Sequence, residues 1–155
     1  MGNTEVIAVA EIEQGLSENI RPFLSISAAP MAREFRRVVE AFWLAASKIE
    51  KVMWMRRQVH VVFALPPFKL NLSNGTLTYT PHHNELINVH VEDIIFLNYE
   101  KMLTFKFQIQ VACILEELVH VLMNISDESL VSKIVELLYD GVKVVDGKYS
   151  PVENG

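Results

Sequence analysis

Between Phe105 and Ile125 the chain reads FKFQIQVACILEELVHVLMNI, with Phe107, Val111, Ile114, Leu115, Leu118, Leu122 and Ile125 at spacings of three and four. That spacing predicts a helix over 105–125. Ile109, Cys113, Val119 and Met123 carry apolar side chains onto its other faces, so the helix needs cover on nearly all sides. A fold built on it must supply other elements around one helix.

The rest of the chain supplies candidates. Residues 1–30 contain a short strand-like run, VIAVA, and then RPFLSISAAP, whose prolines and small residues suggest an irregular lead-in. A first long helix is predicted over 31–57, from the stripe Phe35, Val38, Val39, Phe42, Trp43, Ile49, Val52 and Met53. Strands follow over 58–91: QVHVVFAL, stopped by Pro66-Pro67; a hairpin in KLNLSNGTLTYT, turning at Asn74-Gly75; and ELINVHV. After the buried helix, Ser126 or Asp127 is a suitable N-cap for a closing helix over 127–140, and 141–155 reads as a loosely ordered tail. The expected architecture is a single α+β domain spanning 1–155, with a small, mostly antiparallel sheet packed on helices.

At 155 residues, half of them hydrophobic and 21% charged, the chain can bury one core without a staple. Cys113 is the lone cysteine, so no internal disulfide forms, and with no basic, apolar leader at the N-terminus the expected location is cytoplasmic. No stretch reaches 18 uncharged apolar residues, so no membrane partner is expected. The net charge is −5, yet seven of the 14 basic residues fall between Arg33 and Arg57. Glu34, Glu40 and Glu50 interrupt that segment and no nucleic-acid module accompanies it, so a solvated helix face is the preferred reading over nucleic acid.

The buried helix holds a contradiction. Glu116, Glu117 and His120 lie within one turn of each other where the helix should be dry. They can occupy one solvated stripe or find buried partners. The stretch ILEELVHVLMNISDE also resembles the active-site helix of zincin metallopeptidases of the small gluzincin-like kind, in which H-E-x-x-H presents two imidazoles to zinc and a glutamate base beside them. GTLTYTPHHNELINVHV is similar to the strand segment before that helix, and SDESLVSKIVELLY to the helix that supplies an acidic third ligand.

Carried over residue by residue, the resemblance implies Glu117 as general base, His120 as metal ligand and Glu128 as third ligand, with Asp127 and Glu136 as substitutes. Glu116 stands where the first histidine is expected. The cofactor is then either none or a divalent metal, zinc before manganese, although two carboxylates shift the preference towards harder ions. His82-His83 could lend an imidazole from the preceding loop. His60 and His90 read as ordinary sheet residues, and Cys113 as an inert thiol. The leading functional expectation is a zincin-like pseudoenzyme that binds a protein partner, with a basic target suggested by the acidic carboxyl-terminal part. Alternatives are an active metal-dependent peptidase and a structural domain whose similarity is accidental.

Overall fold

The computed structural model describes residues 5–80 and 87–153. Along the chain come β1 (Val6–Ile7), α1 (Val9–Gln14), β2 (Leu24–Ala28), β3 (Met31–Ala32), α2 (Arg36–Glu50), β4 (Val59–Ala64), β5 (Phe68–Leu72), β6 (Gly75–Tyr79), β7 (Asn88–Val91) and β8 (Ile94–Asn98). Then follow α3 (Tyr99–Leu103), α4 (Phe107–Leu122), α5 (Glu128–Leu138), β9 (Val142–Val145) and β10 (Lys148–Pro151). The fold is α+β, small sheets packed against helices.

The main sheet has the order β2-β4-β8-β7. β2, β4 and β8 run parallel and β7 closes the edge antiparallel to β8. The hairpin expected from the sequence, β5-β6, lies outside this sheet, and β1-β3 and β9-β10 are further antiparallel pairs. A parallel centre needs cover on both faces, and strand alternation provides it. Val59, Val61 and Phe63 of β4 and Ile95 and Leu97 of β8 join the core with α2 and α4. Val62 and Phe96 point the other way and pack with Phe68 and Leu70 of the β5-β6 hairpin, the rings of Phe68 and Phe96 stacking at 5.2 Å.

Several boundaries move. β2 forms within the expected irregular lead-in because Leu24 and Ile26 alternate inward while β2 pairs with β4. α2 is shorter than 31–57: Met31 and Ala32 pair with β1, and after Lys51 the helical period gives way to alternation, with Met53 and Met55 packed on the core. The hairpin turns at Ser73-Asn74, since Leu72 pairs with Gly75 at φ 155°. The tail from Val142 to Pro151 is an ordered hairpin turning at Asp146 (φ 51°) and Gly147 (φ 73°). Asp-Gly is a strong turn signal, and Val142 anchors the hairpin in the core. α4 is central, packed against α2, β7, β8, α5 and the β9-β10 hairpin.

Candidate functional site

α4 places Glu116 and His120 one turn apart on the face turned towards β7 and α5. After Leu122 the chain reverses through Asn124 at φ 54°, a left-handed conformation that asparagine tolerates. Asp127 Oδ1 then accepts from Leu130 N at 2.7 Å, capping α5 and setting Glu128 at its first residue. This short reversal returns Glu128 to His120: Nε2 of the imidazole lies 3.2 Å from Glu128 Oε2. The ring's other nitrogen donates to Ile125 O at 2.6 Å, because a carbonyl can only accept. His120 is therefore anchored at Nδ1, and Nε2 faces the carboxylates.

One ligand atom each from Glu116, His120 and Glu128 lies within 4.8 Å of the others. The residues that the sequence nominated as ligands thus converge and could hold a cation. Their substitutes do not join them: Asp127 is the cap, and Glu136 accepts from Val144 N at 3.3 Å on β9. His82 and His83 lie outside the described residues.

Glu116 is mostly buried. Burial pushes its carboxyl up to about 7, the charges of Glu117 and Glu128 push the same way, and His120 and Tyr149 oppose them. Tyr149, brought by β10, has a buried hydroxyl beside Glu116 with no well-formed hydrogen bond among the described residues. Burial, reinforced by Glu116, raises that hydroxyl far above its ordinary range. Cys113 is pushed up to about 12 by burial and by both glutamates, which makes it the inert thiol expected.

Glu117 points to a different partner. His90 Nδ1 donates to Glu117 Oε2 at 2.6 Å, and the His90 ring stacks on that of His120 at 4.8 Å and 26°. The hydrogen bond to Glu117 raises the His90 pKa; burial opposes it, and the charges of Glu117, Glu128 and Glu116 add to the rise. His90 is thus no ordinary sheet residue. Its signal lay in the strand period: Val89 packs with the hairpin layer, so Asn88 and His90 share the face turned to α4. His60 stays a sheet residue, its Nε2 2.7 Å from Ser27 Oγ and its pKa lowered by burial.

Glu116, Glu117, His120, Glu128 and His90 border a cavity of about 500 Å³, completed by Tyr79, Ile87, Asn88, Val89 and Cys113. Its wall carries three carboxylates and two imidazoles. Comparison of the chain with family models, with curated proteins and with solved structures gave no match. Among the described residues no helix is long and apolar enough to cross a membrane.

Proposed function

We propose that the protein is a zincin-like domain that keeps the scaffold of a metallopeptidase without its reaction, and that it acts by binding a protein partner. The observation that carries this reading is the 2.6 Å pair between His90 and Glu117. The glutamate nominated as general base already accepts an imidazole N–H at Oε2, which ties its head to β7 and leaves only Oε1 to take a proton from water. The donor set agrees. Glu116, His120 and Glu128 fit a divalent cation in space, but two anions on one dication weaken its pull on a bound water, so the set does not fit a hydrolytic zinc.

The partner reading rests on the cavity's edge and charge. Among the described residues β7 is the edge strand of the main sheet and borders the cavity, so an extended segment of a partner can add to it by main-chain hydrogen bonds. Glu116, Glu117 and Glu128 favour a lysine or arginine from that segment, in line with a basic target. The test is hydrolysis: with zinc or manganese supplied, wild type should cleave unstructured protein substrates no faster than Glu117→Gln. Metal-dependent cleavage that vanishes in Glu117→Gln overturns the reading.

A second reading, an active metal-dependent peptidase, is favoured by the convergence within 4.8 Å and by the anchoring of His120 at Nδ1, as ligating histidines are held. Glu116, His120 and Glu128 would then hold zinc or manganese, which supplies activation of a bound water. Glu117 would accept the proton at Oε1, with His90 holding Oε2.

A further inference from the structure

In β4, Val59, Val61 and Phe63 face the core shared with α2 and α4, so His60 and Val62 face the hairpin layer. In β2, Leu24 and Ile26 face the same core, so Ser25 and Ser27 share the opposite face with His60. The two strands are parallel neighbours, and Ser27 Oγ lies 2.7 Å from His60 Nε2. Both side chains are half-buried, and the backbone ladder between β2 and β4 holds them in place. Ser25 is exposed and makes no side-chain hydrogen bond among the described residues.

Burial lowers the His60 pKa below its ordinary 6.5, so the ring is mostly neutral at physiological pH. With its proton on Nδ1, it accepts the Ser27 O–H at Nε2, the arrangement of an alcohol nucleophile and its base. Ser27 also lines a cavity of about 470 Å³ at the carboxyl ends of β2 and β4, the end at which parallel sheets place their ligands. Val62, Ala64, Leu65, Pro67, Leu70 and Tyr99 give that cavity its apolar wall. Lys69 is the only charged side chain among its described lining residues, so no anion on the wall opposes negative charge that develops on a substrate.

We propose that Ser27 and His60 form a nucleophile-base pair that hydrolyses esters of short, apolar carboxylic acids, with the acyl group lying in this cavity. Ser27 Oγ adds to the ester carbonyl carbon as its proton passes to His60 Nε2. Collapse of the adduct breaks the bond to the alcohol oxygen, which leaves with that proton, and the acyl group stays on Oγ. Water then adds to the acyl carbon and gives a proton to Nε2; collapse returns this proton to Oγ as the acid departs. Ester, water and the two side chains balance the reaction. This cavity shares no lining residue with the one beside α4, so the proposal does not depend on how that site is read.

The test follows hydrolysis of p-nitrophenyl butyrate with chelator present, beside labelling by a fluorophosphonate probe mapped by mass spectrometry. Wild type should release p-nitrophenol while Ser27→Ala stays at the rate of buffer. The probe should lose fluoride and modify Ser27. His60→Ala should fall about a hundredfold in kcat/KM and recover with added imidazole, a rescue that a merely structural role does not give. Ser25→Ala should match wild type, because that hydroxyl has no imidazole partner. Labelling reads wild type directly, so it decides the matter even where a variant does not fold. Hydrolysis that survives in Ser27→Ala, a probe that leaves wild-type Ser27 unmodified, or a His60→Ala variant as fast as wild type overturns the proposal.

Discussion

Replacing Glu116 by glutamine removes one buried charge and keeps the side chain's shape, so it isolates the cost of ionising this carboxyl. In the folded protein the carboxyl titrates near 7, against an ordinary value of 4.5, chiefly because it is buried. The folded state therefore holds this proton more tightly than the unfolded chain. Below 4.5 both states are protonated and the group costs nothing. Between 4.5 and 7 the unfolded chain ionises first and stability falls, levelling off above 7. The gap corresponds to ~3 kcal/mol. Glu116→Gln should thus match wild type at pH 4.5 and exceed it by ~3 kcal/mol at about pH 8, or roughly 6–12 °C in melting temperature for a chain this long. Urea denaturation of both proteins at several pH values, with chelator present, gives the comparison. A stability difference that stays flat across the range from pH 4.5 to about 8 refutes the reasoning.

Other perturbations probe the surrounding contacts. The His90 titration, followed by NMR, should have its midpoint above 6.5 and fall back in Glu117→Gln; the stability that the pair contributes is complete below 6.5 and is lost as pH rises through the folded midpoint. Asp127→Ala should cost about 1 kcal/mol in chemical denaturation, since its carboxylate caps α5 at Leu130 N. Gly15→Ala should destabilise by about 1–3 kcal/mol, because a Cβ there falls 1.9 Å from the Trp43 ring, whose Nε1 donates to Ile12 O. The Trp43 fluorescence should shift with it.

The sequence made the central helix legible because its apolar period was long and nearly continuous, and α4 runs from Phe107 to Leu122 within the expected 105–125. β2 was hidden for the opposite reason: Leu24-Ser25-Ile26-Ser27-Ala28 has few strand formers, and its stability comes from pairing with β4. The end of α2 was misplaced because Val52 and Met53 continue the helical stripe in the sequence while the chain has already left the helix through a turn at Lys51 and Val52. At the site, Glu116, Glu117 and His120 stood out because helical spacing is local, while Glu128, on the next helix, was named only by the resemblance to zincins. His90 and Tyr149 did not stand out, since a strand residue and a hairpin residue reach α4 through tertiary packing, and the strand period marks the face of His90 only once Val89 is placed against the hairpin layer. The His90 partner of Glu117 is what most changes the functional reading.

The central claim is the proposal that this zincin-like domain lacks a metallopeptidase's zinc site, with Glu116 standing where the first histidine is expected. The most direct measurement is zinc stoichiometry and affinity, by titration of chelator-stripped wild type beside Glu116→His at neutral pH. The account predicts no stoichiometric zinc on wild type and one zinc per chain on Glu116→His, held in that variant by the introduced imidazole together with His120 and Glu128. Stoichiometric zinc on wild type, or none on either protein, contradicts it.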